Sequence, residues 1–272
     1  MNASDLQLDH LFSVRGKVVL VTGGSRGIGE MIAAGFLTNG ARVYISSRKA
    51  AACDAAAARL TDTYGGECIS IPADLSGLDG VNHLAAAVAE REPKLHVLVN
   101  NAGASWGAPL GEFPEVGWDK VMDTNVKGVF FLTQALLPQL EAAGMADDPA
   151  RVVNIGSIDG IRSSAWETYS YGPSKAAVQF LTRHMSSVLV KRNVLVNAIA
   201  PGPYPTWMLS TGIGTGGDVE GTDWAAVGRA IPRGRIGTPE DIAGLTIFLC
   251  SRAGAFISGQ TIASDGGIVA SA

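Results

Sequence analysis

Lys17-Val18-Val19-Leu20-Val21-Thr22-Gly23-Gly24-Ser25-Arg26-Gly27-Ile28-Gly29 is the segment from which the architecture can be inferred, together with the apolar-periodic residues that follow it. Its first part is short, apolar and β-branched, which favours a buried strand. The glycines then allow a tight turn into a helix, and Gly23, Gly27 and Gly29 would let the backbone approach a pyrophosphate at the positive end of that helix. The segment therefore predicts a dinucleotide-binding turn, with an ordinary strand-to-helix turn as the alternative. No Gly-Lys-Ser/Thr follows, so a nucleotide-hydrolysing P-loop is not supported.

Further apolar segments along the chain resemble this first strand, and helical stretches separate most of them. They are Ala41 to Ile45, Ile69 to Ile71, Leu95 to Val99, Val152 to Ile155, Val194 to Ala198 and Gln260 to Ala263. Such alternation predicts an α/β fold, a Rossmann-type doubly wound parallel sheet with helices on both faces. The 272 residues, 47% of them hydrophobic, suit one domain spanning 1–272.

The least regular part of the chain runs from Pro201 to Pro239 and is rich in Gly, Pro and Thr. An irregular segment of this length within a compact domain favours a lobe over about 203–239 that covers the substrate, rather than a plain surface connection. Trp207 and Trp224 in this lobe either line an apolar pocket or pack within it.

A possible catalytic group is formed by Tyr171 and Lys175, four residues apart, with Ser157 upstream. In a helix the first two share one face. A phenol titrates near pH ~10 and needs a stabilised phenolate to exchange protons at neutrality, which a neighbouring lysine cation supplies. Ser157 can hydrogen-bond a substrate oxygen beside the phenol. The trio predicts acid/base chemistry on a carbonyl/alcohol couple, against a chance pairing on a helix surface.

The end of the second predicted strand, Ile45-Ser46-Ser47-Arg48, bears on the choice of cofactor. An NAD site places an Asp or Glu there for the ribose 2′-hydroxyl, and this chain has none. Arg48 offers a planar fork to a 2′-phosphate, with Arg26 as a second cation and Ser47 as a hydroxyl donor. These residues favour NADP(H) over NAD(H), unless both arginines are merely solvated surface charges.

Composition excludes several classes of function. The net charge is −4, from 21 Lys and Arg against 25 Asp and Glu, and no basic block stands out, so neither a nucleic acid nor a membrane surface is expected as a partner. The three cysteines are too scattered for a disulfide framework and are expected to be small buried residues. The four histidines show no ligand spacing with them, so no metal is predicted.

The beginning of the sequence bears on location. Met1 to Leu11 mix polar and apolar residues and lack the apolar core of a signal peptide. No later apolar run reaches the roughly 18 residues of a membrane span. We therefore expect a cytoplasmic protein.

Taken together, these motifs resemble the short-chain dehydrogenase/reductase family from about Gly16 to about Gly267. The matching positions are Thr22 to Gly29, Asn100-Asn101-Ala102-Gly103, Asn125, Ser157, Tyr171 and Lys175. Within the family, the segments most similar to 3-oxoacyl reductases are Gly23 to Gly29, Ser105-Trp106-Gly107, Tyr169 to Lys175 and Ile199-Ala200-Pro201-Gly202.

The resemblance implies further contacts with the cofactor. The glycine turn, including Ser25 and Ile28, would bind the pyrophosphate. Asp74, followed by Leu75, would bind the adenine amino group, although a helix cap fits Asp74 almost as well. Asn101, Ala102 and Gly103 would pass along the adenine ribose side. Pro201 and Gly202 would flank the nicotinamide.

The resemblance also assigns catalytic roles. Asn125 would anchor a water that links Lys175 to solvent, the alternative being a mid-helix amide with no role. Lys175 would lower the pKa of Tyr171 and hold the nicotinamide ribose. Tyr171 would give its proton to the forming alkoxide while Ser157 binds the carbonyl. Tyr169 is not expected to replace Tyr171, because the residue four positions beyond it is Pro173.

Substrate and partners follow from the resemblance only. It favours a 3-oxoacyl thioester, free or on acyl carrier protein, for which a basic patch near the mouth would come from Arg183, Lys191 and Arg192, or from Arg162. The alternative for these is a solvated helix face, and Asp147 and Asp148 would repel an acidic carrier.

Two other functions stay open. One is a reductase or dehydrogenase of small free ketones or secondary alcohols, because fold and catalytic trio do not name a substrate. The other is a non-catalytic NADP-binding regulator, which the complete catalytic set disfavours. The resemblance also implies a homotetramer, with Ile257 to Val269 as an interface.

Overall fold

The computed structural model describes residues 3–212 and 216–271. Its strands form one seven-stranded sheet in the order β3-β2-β1-β4-β5-β6-β7, and every pairing is parallel. The strands are β1 (Val18–Thr22), β2 (Arg42–Ser46), β3 (Cys68–Ser70), β4 (Val97–Asn100), β5 (Ala150–Ile155), β6 (Val194–Pro201) and β7 (Thr261–Ser264). The predicted α/β fold is confirmed, and each predicted strand is present with ends shifted by at most a few residues.

Helices connect the strands and cover both faces of the sheet. The α-helices of the described residues are α1 (Leu8–Leu11), α2 (Gly27–Thr38), α3 (Ala50–Tyr64), α4 (Leu78–Ala89), α5 (Glu115–Met122), α6 (Gly128–Ala135), α7 (Leu137–Ala143), α8 (Tyr171–Leu189), α9 (Trp207–Gly212), α10 (Trp224–Arg229) and α11 (Pro239–Cys250). Short 3₁₀ turns cover Ala3–Leu6, Leu110–Glu112, Ile158–Gly160, Val190–Arg192, Arg252–Gly254 and Val269–Ser271. A π turn, Asp123–Lys127, joins α5 to α6.

The core consists of two apolar layers, one on each face of the sheet. Val19 and Val21 of β1 belong to the layer formed with α2, α3 and α11. Leu20 belongs to the opposite layer, formed with α4, α6, α7 and α8. Successive side chains of a strand point to opposite faces, so a strand buried on both faces is apolar at every position. This is why the central strands appear in the sequence as continuous apolar runs.

Two buried cations lie at the amino-terminal edge of the sheet. Lys17 donates to Asp148 at 2.9 Å and to the Cys250 carbonyl at 3.2 Å. Arg151, only 1% exposed, donates to the carbonyls of Leu249 and Ser251. These carbonyls end α11, where the negative end of the helix dipole favours cations. The two cations therefore fasten α11 to the sheet and play no part at the opposite, carboxyl edge.

The three cysteines are free; Cys53 and Cys250 are buried, as expected, whereas Cys68 is only partly buried. Over the described residues, none of the helices combines the length and apolar character of a membrane span.

Candidate active site

The carboxyl ends of β1 and β4 form the crevice where a doubly wound sheet binds its ligand, because the connections after these two strands diverge there. The Thr22 hydroxyl, at the end of β1, accepts hydrogen bonds from the N–H groups of Asn101 and Ala102, both at 3.0 Å. The Asn101 amide donates to the Thr22 carbonyl at 2.9 Å and to the Gly23 carbonyl at 3.2 Å. Asn101 therefore ties the glycine turn to the end of β4, a role that its sequence position did not reveal.

The glycine turn has the conformation that its sequence predicts. Gly23 and Gly27 have φ angles of +66° and +59°, which disfavour other residues. A Cβ atom at Gly29 would lie 2.4 Å from the Gly23 carbonyl oxygen. The helix α2 begins at Gly27, so its free N–H groups and positive dipole face the turn. The closely packed glycine turn and the free N–H groups at the start of α2 fit the pyrophosphate of a dinucleotide.

The end of β2 lies beside this turn. The N–H of Gly23 donates to the Ser46 carbonyl at 2.7 Å, and the N–H of Ala73 donates to the Ser47 carbonyl at 3.1 Å. The Ser46 hydroxyl oxygen is buried and makes no hydrogen bond to the residues that the structure describes. The Ser47 hydroxyl oxygen is also buried, and its described neighbour is the weakly polar Cys53 thiol. Arg48 is exposed just beyond these hydroxyls.

The chemistry at this strand end suits a 2′-phosphate. It combines buried hydroxyl groups with an exposed guanidinium, and the chain has no carboxylate from Ile45 to Lys49. Lys49, at the N-cap of α3, adds a cation that is not among the residues predicted from the sequence. The sequence feature that could have identified Lys49 is its position directly after Arg48.

Arg26 links the glycine turn to the irregular lobe. Its guanidinium carbon lies 4.7 Å from the centre of the Trp207 ring, a cation–π arrangement. A Cβ at Gly27 would lie 3.2 Å from Thr206, so the two segments are in close contact here. Trp224 instead donates its indole N–H to the Val219 carbonyl at 2.8 Å and packs within the lobe. Of the two tryptophans, Trp207 is the one that contacts the glycine turn.

Asp74 and Leu75 follow β3 at the same edge. The Asp74 carboxylate accepts from the N–H of Ser76 at 3.0 Å and from its hydroxyl at 2.8 Å, which forms a local turn. The N-cap of α4 is Gly77, so the alternative of Asp74 as a helix cap is wrong. Asp74 is exposed, whereas the Leu75 side chain is buried in the core at 7% exposure. Because this side chain faces the core, a contact of Leu75 with the cofactor would come from its backbone.

Asn125 lies in the π turn, and a π turn within a helix is often found at a functional site. Its side-chain oxygen accepts from the N–H of Ala104 at 2.8 Å, and its amide nitrogen donates to the Ala104 carbonyl and the Ser174 hydroxyl, both at 2.9 Å. Ser174 in turn donates to the Tyr171 carbonyl at 2.7 Å. Asn125 is thus joined to the first turn of α8 through Ser174. Ser174 lies within the segment that carries Tyr171 and Lys175, but its spacing gives no sign of this contact.

The structure brings Ser157, Tyr171 and Lys175 together at the ends of β5 and α8. Lys175 donates to the Ile155 carbonyl at 2.8 Å, and its ammonium lies 5.6 Å from the centre of the Tyr171 ring. The Ser157 hydroxyl interacts with the Tyr171 phenol. A Cβ at Gly103 would lie 3.5 Å from the Asn125 side-chain oxygen and 3.6 Å from the Lys175 nitrogen. The loop after β4 therefore reaches the catalytic group.

Burial dominates the electrostatics of this group. Tyr171 is half-buried by surface area, yet enough protein surrounds its hydroxyl that desolvation raises its pKa to about 12, while Ser157 acts in the lowering direction. Desolvation lowers the pKa of Lys175 to about 8. The expected lowering of the Tyr171 pKa is not observed, because desolvation of the phenolate outweighs the stabilisation it receives. At neutral pH the phenol is protonated and is placed to act as an acid.

Pro201 and Gly202, predicted beside the nicotinamide, end β6 at the same edge. The Gly202 N–H donates to the Ser264 carbonyl at 3.0 Å, next to β7. A Cβ at Gly202 would come within 2.8 Å of Asp265, so only glycine fits there.

The basic patch expected near the mouth is not formed as predicted. Lys191 and Arg192 follow the last turn of α8, whose 19 residues span roughly 28 Å from Tyr171. Arg192 pairs with Glu141, and Arg183 packs over the Phe180 ring. The prediction was wrong for Lys191 and Arg192 because one helix carries them to the opposite edge of the sheet. Arg162, exposed after the turn that holds Ser157, stays near the catalytic group.

The segments next to Tyr171 carry partly exposed apolar side chains instead. The Tyr169 ring packs edge to face against Phe113, with ring centres 6.0 Å apart. A groove of about 320 Å³ is lined by Leu110, Phe113, Pro114, Glu115, Trp118 and Tyr169. Other partly exposed apolar side chains on the neighbouring segments are Ile161, Trp166, Trp207 and Met208. The Ala108 N–H donates to the Glu167 carbonyl at 3.1 Å, which joins two of these segments.

Comparison with known proteins agrees with this geometry. The family model described as enoyl-(acyl carrier protein) reductase matches residues 23–269. A rhamnolipid-biosynthesis 3-oxoacyl-[acyl-carrier-protein] reductase of Pseudomonas aeruginosa is 48% identical, over 94% of this chain and 97% of that protein. A gluconate 5-dehydrogenase of Gluconobacter oxydans is 35% identical, over 96% and 98%. A solved structure, the Pseudomonas aeruginosa RhlG/NADP active-site complex, superposes with a TM-score of 0.88 at 47% identity, over 95% of this chain and 98% of that one.

Proposed function

Because the chain belongs to the short-chain dehydrogenase/reductase family, we propose that its substrate is a 3-oxoacyl thioester and its product the 3-hydroxyacyl thioester. The enzyme is an NADPH-dependent carbonyl reductase. The observation that carries this function is the meeting of Ser157, Tyr171 and Lys175 beside a glycine turn, at the carboxyl edge of one parallel sheet.

Several groups of this chain would hold NADP(H). The glycine turn and the start of α2 fit the pyrophosphate, and Ser47, Arg48 and Arg26 fit the 2′-phosphate. Asp74, Asn101 to Gly103 and Pro201-Gly202 follow strands at the same edge, next to this cradle. When bound, NADPH supplies the hydride that the protein itself cannot provide.

The protein contributes proton transfer and orientation. Ser157 and Tyr171 donate hydrogen bonds to the carbonyl oxygen, which places the substrate and polarises it. Tyr171 then breaks its O–H bond and transfers the proton to the oxygen that becomes the alcohol. Lys175, charged at pH values below about 8, stabilises the resulting phenolate. Asn125 holds the loop at Ala104 against α8 and so keeps these groups aligned.

The surroundings of the site support a thioester with an apolar chain. Leu110, Phe113, Trp118 and Tyr169 line a groove that begins two residues before Tyr171, and such a surface favours an alkyl chain over a sugar. We propose that Arg162, which is exposed after the turn that follows Ser157, contacts an acidic carrier protein. Reduction on acyl carrier protein is part of the proposal, since the 48% identical relative is named for that substrate.

A reductase or dehydrogenase of free ketones or alcohols is the second candidate, and the 35% identical gluconate 5-dehydrogenase favours it. NADPH oxidation with acetoacetyl thioester, acetoacetyl-acyl carrier protein and 5-ketogluconate as parallel substrates decides between them. We expect turnover with the thioesters and none with the keto acid. Turnover with 5-ketogluconate alone would refute the proposed substrate but not the reductase. Cofactor binding without turnover of any carbonyl would favour a non-catalytic regulator.

We also propose that residues 203–239 form a lobe of the single catalytic domain and cover the substrate. Support comes from its two ends, which meet where the Gly237 N–H donates to the Pro203 carbonyl at 2.9 Å, and from the stacking of Trp207 on Arg26. Residues 213–215 of this lobe lie outside the described part of the chain.

Replacing Trp207 tests the lobe. Trp207→Ala removes an exposed cation–π contact, typically ~0.5–1 kcal/mol, so the KM for the acyl thioester is expected to rise about three-fold while kcat changes little. Trp207→Phe keeps an aromatic face and serves as the matched control, with a KM near that of the unchanged enzyme. Steady-state kinetics at saturating NADPH provide the measurement. An unchanged KM in Trp207→Ala would contradict the role.

A homotetramer is our proposal for the assembly. β7 is an edge strand and is only partly covered, and an exposed edge is usually covered by another element or chain. Phe256, directly before Ile257, is fully exposed, as is much of Phe180 and Val188 on α8. Light scattering should return four times the chain mass of 28.1 kDa. A monomer would contradict the proposal.

A cytoplasmic location is also proposed, because three free thiols suit a reducing compartment. Cell fractionation would test it, and recovery outside the cytoplasm would contradict it.

A further inference from the structure

Trp207 is the first residue of α9, and backbone contacts hold it against the glycine turn. The hydroxyl of Thr206, just before it, accepts a hydrogen bond from the Leu209 N–H at 3.2 Å, which fixes the start of the helix. A Cβ at Gly27 would lie 3.2 Å from Thr206, so this start packs on the first residue of α2. A Cβ at Gly217 would overlap the Nε1 atom of Trp207, so the lobe backbone passes beside the indole. The position of the ring is therefore set from two sides.

The Arg26 side chain lies over this indole, with its guanidinium carbon 4.7 Å from the ring centre. Arg26 is exposed, and among the residues that the structure describes none forms a hydrogen bond or an ion pair with its guanidinium. Glu30, four residues further along, is at the spacing of a helical ion pair, but it is bonded to Arg59 at 2.6 Å. The contact with Trp207 is thus the one that orients the guanidinium.

A guanidinium can contact an aromatic ring and bind an anion at the same time. Stacking uses the face of the planar group, while the N–H donors lie in its plane and can bind two oxygens of a phosphate. An arginine side chain that is free in solvent gives up rotamer freedom when it binds a ligand. A ring that already restricts the side chain lowers this cost, so the affinity for the ligand rises. The Trp207 ring therefore prepares Arg26 to bind a phosphate.

The strand next to the glycine turn indicates which phosphate this is. The Gly24 N–H donates to the Ser46 carbonyl at 3.2 Å, at the end of β2. Arg26 follows Gly24 by two residues, which span at most about 7 Å, so it leaves the turn close to the strand end that carries Ser47 and Arg48. The pyrophosphate has its own donors, the N–H groups at the start of α2. The 2′-phosphate is therefore the group for which Arg26 adds a cation.

We propose that Trp207 is a positioning residue for the choice of cofactor. It holds the Arg26 guanidinium ready for the 2′-phosphate of NADPH and so increases the preference for NADPH over NADH. The proposal rests on the NADP(H) site proposed above and is independent of which carbonyl compound is reduced. It gives the lobe a second role, because a residue of the lobe that covers the substrate also takes part in selecting the cofactor.

Trp207→Ala tests the proposal through cofactor affinity. The Kd of NADPH is expected to rise about three- to five-fold, the factor that corresponds to an exposed cation–π contact. The Kd of NADH, which has no 2′-phosphate, should stay within about 1.5-fold. Trp207→Phe keeps an aromatic face and should restore an NADPH Kd near that of the unchanged enzyme. Trp224→Ala removes the other tryptophan of the lobe and should leave the ratio of the two Kd values unchanged. Isothermal titration calorimetry of each protein with each cofactor gives these values without any substrate.

A double-mutant cycle shows whether Trp207 acts through Arg26. Arg26→Met removes the guanidinium and keeps an unbranched side chain. In this background Trp207→Ala should cause no further rise in the Kd of NADPH, because the group that the ring positions is already absent. A loss that persists in the Arg26→Met background would overturn the proposal. So would an unchanged NADPH Kd in Trp207→Ala, an equal loss with NADPH and NADH, or the same change of ratio in Trp224→Ala.

The same titrations separate this role from the assignments on which it rests. If Arg26→Met lowers the preference for NADPH but Trp207→Ala does not, the 2′-phosphate site stands and the role of Trp207 fails. If Arg26→Met leaves the preference unchanged, Arg26 does not bind the 2′-phosphate, and both assignments fail. A substrate other than a thioester would change neither Kd, so failure of the proposed substrate is seen only in turnover.

Discussion

Tyr171→Phe is expected to lower kcat for carbonyl reduction by about three orders of magnitude. The substitution deletes one oxygen and leaves the ring in place, so the site loses its proton donor without losing its shape. Positioned acid catalysis contributes roughly 10²–10⁴-fold to a rate, and the hydrogen bond to the carbonyl oxygen is lost as well. The residues proposed to bind the pyrophosphate and the 2′-phosphate follow β1 and β2, whereas the phenol lies at the start of α8, so NADPH affinity should stay within about two-fold. Stopped-flow and fluorescence titration would measure kcat and affinity separately.

The chain provides a matched control for this change. Tyr169 is two residues away, partly exposed and packed against Phe113. Tyr169→Phe also deletes one phenolic oxygen, and its kcat should stay near that of the unchanged enzyme. Full turnover by Tyr171→Phe, or an equal loss in both variants, would refute the assignment of the proton donor.

Arg48→Asp should reduce kcat/KM for NADPH about 100-fold and leave kcat/KM for NADH within about three-fold. A charge-assisted hydrogen bond contributes roughly 1.5–3 kcal/mol, and the new carboxylate would repel the 2′-phosphate. Arg48 is exposed beside the Ser46 and Ser47 hydroxyls, so removing its charge should not disturb the core. Steady-state kinetics with both cofactors give the ratio.

Arg91→Asp makes the same charge change just past the end of α4, where Arg91 bonds the Ala87 carbonyl. It should leave the cofactor ratio unchanged. If Arg48→Asp also left the ratio unchanged, the 2′-phosphate would have to be bound elsewhere, with Lys49 and Arg26 as the remaining cations. An equal loss with NADPH and NADH would instead indicate a general distortion of the site.

The strands and the glycine turn could be predicted because their signals are local. A strand buried on both faces must be apolar along its length, as Val18 to Val21 shows, and a backbone with positive φ at Gly23 and Gly27 must use glycine. The order of Ser157, Tyr171 and Lys175 is likewise a property of the chain. The structure then placed all three at one edge of the sheet.

Other properties depend on contacts between distant segments. The π turn that presents Asn125, its bond to Ser174 and the Arg26–Trp207 stack each join segments that no spacing rule connects. Lys191 and Arg192 show the opposite case, in which residues close in the sequence lie far apart in the structure. They follow Tyr171 in the same helix, yet the length of α8 takes them to the opposite edge of the sheet.

The amino-acid sequence was therefore sufficient for the parallel sheet, the glycine turn and the order of the proposed acid/base residues along the chain, because backbone conformation and hydrophobic periodicity are encoded over a few neighbouring residues. The tertiary structure alone decided the proton affinities. Desolvation raises the pKa of Tyr171 to about 12 and lowers that of Lys175 to about 8. A pKa depends on everything packed around a group, and that environment exists only once the chain has folded.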